Sequence, residues 1–200
     1  MNIPHLERYE AVVLGASFGG MQLLKLLLSA LPRDFSLPII AVQHTAPTSQ
    51  STLAELLNSF CDIEVREANE KEPIEPAKVY FAPANYHLLI ESDRTFTLTV
   101  DERVNHARPA IDVLFETAAE AYGAGLIGLV LTGANADGAK GLRYLKDKGG
   151  LAIVQDPDTA IAPSMPQAAI RIAGPQHVLT PGQITDLLLQ IHHDRQEDAT

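Results

Sequence analysis

The apolar positions of this chain follow two rhythms. Continuous runs rich in Val, Ile and Leu occur at 11–15 (AVVLG), 37–43 (LPIIAVQ), 78–83 (KVYFAP), 126–133 (LIGLVLTG) and 151–155 (LAIVQ). They lack polar alternation, the pattern of strands covered on both faces. Between them, apolar residues recur at helical spacing. MQLLKLLLSAL (21–31) ends at Pro32, and STLAELLNSF (51–60) gives a second helix. RPAIDVLFETAAEAYG (108–123) has Pro in its first turn and Gly past its end, and a helix follows at 139–148. SMPQAAI (164–170) opens a helix with a Ser-x-x-Gln capping box, and the last helix runs from Pro181 to about His193. YHLLIESDRTFTLTV (86–100) alternates about a polar turn and predicts an antiparallel hairpin.

Alternation of buried strands with helices predicts an α/β fold: a doubly wound, mostly parallel sheet flanked by helices, with the hairpin as an insertion. No Pro/Gly/Ser-rich linker interrupts the 200 residues. One domain is therefore expected over 1–200, with its core at about 10–180 and a charged, frayed tail at 192–200. The leucines at 23, 24, 26, 27, 28 and 31 are assigned to the core, because the run is too short for a zipper.

Charge and cysteine content narrow the function classes. Fifteen Lys and Arg against 25 Asp and Glu give a net charge of −10. That field repels phosphate backbones and anionic lipid, so neither nucleic acid nor a membrane surface is expected as a partner. The single cysteine, Cys61, provides no disulfide framework or cysteine-rich zinc site and is expected to be a buried thiol. The polar N-terminus lacks a signal-peptide core, and no apolar run approaches the ~20 residues of a membrane span. A cytoplasmic location is expected.

The candidate chemistry lies just after the buried strands. Ser17 follows the first, His44 the second and Asp137 the run at 126–133. In an open parallel sheet this carboxyl edge is where ligands bind. Gly15-Ala16-Ser17-Phe18-Gly19 fits the G-x-S-x-G nucleophile elbow in its strand-to-helix setting. A sharp turn there lifts the hydroxyl above the sheet, and the helix N-terminus offers N–H groups to a developing oxyanion, Phe18 N–H first. His44 has the role of general base, and Asp137 that of the acid that orients it. The order Ser…His…Asp differs from the Ser…Asp…His order of α/β-hydrolases. Asp156, after LAIVQ, is the rival acid.

Two other readings compete. In the first, GASFGG is the phosphate turn of a nucleotide-binding module. G-x-G-x-x-G needs glycine at position 17, however, and the acidic partner about 20 residues on would be Asp34, in a loop. In the second, the fold serves as a signalling or binding module without catalysis. That sits poorly with the intact Ser17, His44 and Asp137.

Six ordered blocks, GASFGG, VQH, FAPANYHL, RPAIDVLF, LTGANADGAKGL and IVQDPDTA…MPQAAI, resemble the catalytic domain of bacterial chemotaxis receptor methylesterases, the protein-glutamate methylesterases. The resemblance covers roughly residues 10–180. It implies a hydrolase of glutamyl methyl esters on chemoreceptor helices, which in many members also deamidates receptor glutamines. No metal or organic cofactor is implied. Matched position by position, Ser17 is the nucleophile, His44 the base and Asp137 the triad acid. His87 matches a common family histidine and is a candidate for the cleft rim, with a structural hydrogen bond as the favoured alternative. Met165 and Pro166 match a block near the cleft.

The chain departs from the family pattern in its rim. The usual serine loop reads GASTGG, and Phe18 replaces the threonine. The usual acid loop reads TGMGNDG; Ala134 replaces a methionine whose backbone N–H serves the oxyanion, and a backbone donor survives that change. Asn135 replaces a glycine, which alters the loop if the position needs positive φ; Asn is the residue that tolerates this best. These changes predict an active hydrolase with shifted substrate preference. Many family members carry a receiver domain before the esterase. Here the strand leading to Ser17 begins by residue 11, so a domain without a receiver is expected. With a net charge of −10, local basic residues or tethering must bring it to an acidic receptor. Arg108, in the loop with Asn105 and His106, is assigned to capping local carbonyls in preference to receptor contact. The adjacent His192 and His193 point to different helix faces and make a poor metal pair.

Overall fold

In the computed structural model, which describes residues 5–44 and 52–198, every continuous apolar run lies in one parallel sheet. The strands are β1 (Ala11–Ala16), β2 (Ile39–Gln43), β3 (Glu64–Glu67), β4 (Lys78–Phe81), β7 (Leu126–Val130), β8 (Leu151–Gln155) and β9 (His177–Leu179), ordered β3-β4-β2-β1-β7-β8-β9. A separate antiparallel pair, β5 (His87–Ile90) and β6 (Phe96–Thr99), forms the predicted hairpin. The helices are α1 (Gly20–Leu28), α2 (Thr52–Asn58), α3 (Ile111–Tyr122), α4 (Ala139–Asp147), α5 (Ser164–Ala173) and α6 (Pro181–Asp198).

The sheet is covered on both faces, which is why its central strands show no polar alternation. Val12 and Leu14 of β1 join Leu24, Leu27 and Leu28 of α1 and Leu188 and Ile191 of α6 in one core. Ala11 and Val13 face the other side, with Leu114 and Phe115 of α3, Leu142 and Leu145 of α4 and Leu88 of the hairpin. β1 pairs with β2 on one side and β7 on the other. The chain leaves β1 toward β2 and leaves β7 toward β8, so β1 and β7 flank the switch point where open sheets form their crevice.

The structure corrects several local expectations. Edge strands β3 and β9 carry no continuous apolar run and are absent from the predicted set. Leu26 is exposed on α1 rather than in the core. Helix α3 starts at Ile111, after Pro109, because Ala110 is still extended. Helix α5 begins at Ser164 itself, with Pro163 before it and no side-chain cap, so the predicted capping box does not form. Residues 192–198 are helical rather than frayed. Arg195 donates to Glu7 O at 2.8 Å and Tyr9 O at 2.6 Å, and Ser36 N–H donates to His192 Nδ1 at 3.2 Å. Cys61 is only half-buried, against the first core, and burial raises its thiol pKa. Residue 51 of the predicted second helix lies outside the described residues.

Candidate active site

The serine turn is built by hydrogen bonds to its backbone. Ser17 N–H donates to Thr132 O at 2.9 Å, continuing the β1–β7 ladder, and Ser17 O accepts from Gly20 N–H at 2.9 Å and Gln43 Nε2 at 2.8 Å. Gly19 adopts φ +82°, the left-handed geometry that lets α1 begin three residues after the serine. Gly15 serves a different purpose: a Cβ there would lie 2.3 Å from Ile111 Cγ2. Its absence brings the first residue of α3 against β1. Thr132 fastens the turn to the loop before α5, donating to Phe18 O at 3.0 Å and accepting from Ala162 N–H at 2.9 Å.

Asp137 has no exposed side-chain surface and lies at the N-termini of two helices. Its Oδ2 accepts from His44 Nε2 at 2.9 Å and Ile111 N–H at 2.6 Å. Its Oδ1 accepts from Asn105 Nδ2 at 2.9 Å, Asp112 N–H at 3.1 Å and Gly138 N–H at 3.1 Å. The first free N–H groups of α3 and the entry to α4 thus converge on one carboxylate, where both helix dipoles favour negative charge. Burial works to raise the Asp137 pKa, but the hydrogen bonds from His44, Ile111, Asn105 and Asp112 outweigh it and hold the carboxyl below its ordinary range.

Asp112 takes the complementary part. Its Oδ1 accepts from Gly141 N–H at 2.8 Å, and its Oδ2 shares the Asn105 amide at 2.8 Å. Burial raises its pKa, the Gly141 bond opposes that, and the Asp137 charge adds to the rise. Asn105 therefore bridges two carboxylates whose titration is pushed in opposite directions.

His44 is 13% exposed and forms one wall of the cleft. Its donor and acceptor roles are fixed by its neighbours. Asn135 Oδ1 accepts from Asp137 N–H at 3.0 Å, which can only donate. The Asn135 amide nitrogen must then be the group 3.2 Å from His44 Nδ1. Nδ1 is consequently the acceptor, and Nε2 carries the proton given to Asp137. The ring nitrogen facing away from Asp137 is Nδ1.

Ser17, His44 and Asn135 line a cleft of about 370 Å³ together with Arg103, His106 and Arg108. Among the described residues the Ser17 hydroxyl has no hydrogen-bond partner, and the N–H groups of Phe18 and Ala134 have no acceptor. One belongs to the residue after Ser17 and the other to the loop after β7, on the two sides of the switch point, and unengaged N–H groups are what an oxyanion requires. The Phe18 side chain is 65% exposed.

Other predicted residues fall elsewhere. His87 is buried and does not line the cleft; it donates through Nε2 to Glu102 O at 3.0 Å and accepts Ala110 N–H at 3.2 Å, tying the hairpin to the start of α3. Met165 is fully buried, with its N–H bonded to Gly133 O at 2.9 Å, so it supports the acid loop from beneath. Pro166 is likewise buried in α5. Asp156 accepts Asp158 N–H at 3.0 Å as a local cap and makes no bond to His44. Arg108 caps Val100 O and Asp101 O at 2.6 and 2.9 Å. Asp34 lies in an exposed turn after α1, not at a strand end. Asn135 is outside the left-handed region, so its replacement of glycine needs no special backbone. Asp112, Asn105 and Arg103 carry site geometry that spacing alone did not assign. An acid in the first turn of a helix is the only local signal Asp112 offers. Among the described residues no group of three or more His, Cys, Asp or Glu side chains is placed to hold a metal ion, and no helix is long and apolar enough to cross a membrane.

Comparison with known proteins agrees with this geometry. The sequence profile of the CheB methylesterase family matches residues 12–188. A Leptospira interrogans protein, provisionally named a protein-glutamate methylesterase/protein-glutamine glutaminase, is 48% identical over 189 residues, 94% of this chain and 98% of that protein. The Archaeoglobus fulgidus protein-glutamate methylesterase/protein-glutamine glutaminase is 39% identical over 82% of this chain, which spans only 48% of that longer relative. The crystal structure of the Thermotoga maritima CheB methylesterase catalytic domain matches with a TM-score of 0.87 at 34% identity, over 92% of this chain and 98% of that one.

Proposed function

Because the chain belongs to the CheB methylesterase family, we propose that it hydrolyses methyl esters of glutamate side chains on chemoreceptors, with Ser17 as nucleophile, His44 as base and Asp137 as the acid that orients it. The observation that carries this reading is His44, bonded to Asp137 through Nε2 at 2.9 Å and lining the same cleft as Ser17.

The Ser17 hydroxyl oxygen attacks the ester carbonyl carbon and its proton passes to His44 Nδ1. Phe18 and Ala134 N–H groups receive the charge on the carbonyl oxygen. As the tetrahedral centre collapses, the carbon–methoxy bond breaks and the imidazolium protonates the leaving oxygen, releasing methanol. Water then attacks the acyl-serine, giving its proton to His44. Collapse returns that proton to Ser17 and frees the glutamate carboxylate. Asp137, held ionised by its hydrogen bonds, stabilises the imidazolium in both halves.

The relatives' names also carry a glutaminase activity, and the same steps release ammonia from a glutamine amide. The exposed Arg103 at the cleft supplies the local positive charge that docking of a net −10 chain onto an acidic receptor helix calls for.

Methanol release from methylated receptor tests the assignment. Ser17→Ala is expected to lower it at least about 1,000-fold. Equal release from both proteins would remove Ser17 as nucleophile.

A further inference from the structure

We propose that Asn135 is a positioning residue that caps the base: in the unliganded site its amide occupies His44 Nδ1 and keeps Ser17 from using it. The inference rests on the triad reading above.

Nδ1 of a neutral imidazole has one lone pair. With Nε2–H given to Asp137, that lone pair is the only place His44 can take the Ser17 proton, and the Asn135 amide lies 3.2 Å from it. The Ser17 hydroxyl, in the same cleft, has no partner among the described residues. The cap is held in place, because Asn135 Oδ1 is anchored on Asp137 N–H. One three-residue loop segment, 135–137, therefore fixes the tautomer and blocks the base at once. Serine is activated only in molecules whose amide has swung off Nδ1. Position 135 is glycine in the usual family loop, so the cap belongs to this chain's departure from that pattern.

The cap has a kinetic signature that a merely structural residue lacks. It binds neutral imidazole only, since the protonated ring has no lone pair. Three forms compete: protonated, neutral-free and neutral-capped. On the acidic limb the neutral-free fraction is set by protonation alone and does not depend on the cap. On the alkaline plateau it is reduced by the capping equilibrium. One neutral hydrogen bond gives a factor of about 3 to 10. The other charged and titratable groups facing His44 are Asp137, from the loop after β7, and Arg103, His106 and Arg108, across the cleft; all are unchanged in the variants.

A small fluorophosphonate reads this without a receptor. Ser17 oxygen bonds to phosphorus, the phosphorus–fluorine bond breaks, fluoride leaves and the serine proton goes to His44 Nδ1. Labelling rates are measured from acid to alkaline pH for wild type, Asn135→Ala and Asn135→Asp. Asn135→Ala is expected to match wild type on the acidic limb, to plateau about 3- to 10-fold higher, and to move the midpoint up by about 0.5 to 1 pH unit. Asn135→Asp keeps the acceptor for Asp137 N–H but cannot donate to Nδ1. Its plateau is also raised, and its acidic limb falls below wild type because a carboxylate favours the imidazolium. It secures the plateau comparison if the alanine variant folds poorly. Plateaus equal to or below wild type in the folded variants would overturn the cap while leaving the triad standing. Absence of wild-type labelling at Ser17 would overturn both.

Discussion

Asp137 and Ser17 stand after neighbouring strands of one sheet, yet they are held in opposite ways. The Asp137 carboxylate is fully buried and takes five hydrogen bonds, from one imidazole, one side-chain amide and three backbone N–H groups. Ser17 is pinned through its backbone N–H and C=O, while its hydroxyl has no partner among the described residues. Orientation and charge are thus fixed in advance at the acid end, where nothing has to move during the reaction. The proposed nucleophile, Ser17, is rigid in its backbone, while its hydroxyl is left without a partner among the described residues. This is the division that electrostatic preorganisation predicts: fixed dipoles around the charge, freedom only at the bond that forms.

The sharpest way to break this comparison is Asp137→Asn. Whichever oxygen becomes an NH2 group then faces at least two N–H donors, either His44 and Ile111 or Asn105, Asp112 and Gly138. Methanol release is expected to fall about 1,000- to 10,000-fold through loss of the His44 tautomer. Urea denaturation is expected to show a loss of about 3 kcal/mol as the α3 and α4 entries lose their shared acceptor. Asp156→Asn, which disturbs only a local turn, is expected to stay within about twofold in rate. A larger rate loss from Asp156→Asn would reassign the acid.

A smaller effect sharpens the electrostatics of the acid end. The Asp137 pKa is held low in the fold, so its contribution to stability is fully present above the unfolded value of about 3.9 and is lost as pH falls through the folded value. Asp112 has the opposite sign. Its pKa is raised, so its contribution is full below about 3.9 and is lost as pH rises through the folded value. The two windows lie on opposite sides of the unfolded value, and the pair is most stabilising near it. Stability measured by urea denaturation from pH 3 to 7, as the difference between wild type and Asp112→Ala, is expected to decline as pH rises above about 4. A difference curve that rises with pH would reverse the assigned sign.

The same contrast explains what was legible in the sequence. Strands β1, β2, β7 and β8 are buried on both faces, and their unbroken apolar runs announce them, so the carboxyl edge with Ser17, His44 and Asp137 followed from topology. Glu64–Glu67 and His177–Leu179 are short edge strands with few apolar residues to count, and periodicity passes over them. The extended Ala110 shortens α3 because Pro109 and the Asp137 carboxylate set its entry by tertiary contact. The long-range partners were not legible for the same reason. The Asn105 bridge between Asp112 and Asp137 joins residues 7 and 32 positions away, and the Asn135 amide meets a histidine 91 positions distant. His87 shows the converse. A histidine that resembles a cleft residue in sequence is used on both ring nitrogens to bind backbone, and burial alone separates the two roles.

The smallest expected effect tests whether the bareness of the nucleophile end extends to its neighbour. Phe18 follows Ser17 and replaces the threonine of the usual family loop, but its side chain is 65% exposed. Its role at the serine is carried by backbone: the carbonyl accepts Thr132 Oγ1 at 3.0 Å, and the N–H is the candidate oxyanion donor. Phe18→Thr keeps both groups. Stability is expected to change by no more than about 0.5 kcal/mol and fluorophosphonate labelling by no more than about twofold. Contact of this exposed ring with a protein substrate predicts a Michaelis constant for methylated receptor that rises in Phe18→Thr while the small-probe rate holds. A labelling rate that drops tenfold or more would show that the ring shapes the turn, and would place Phe18 with the preorganised acid end rather than with the open rim.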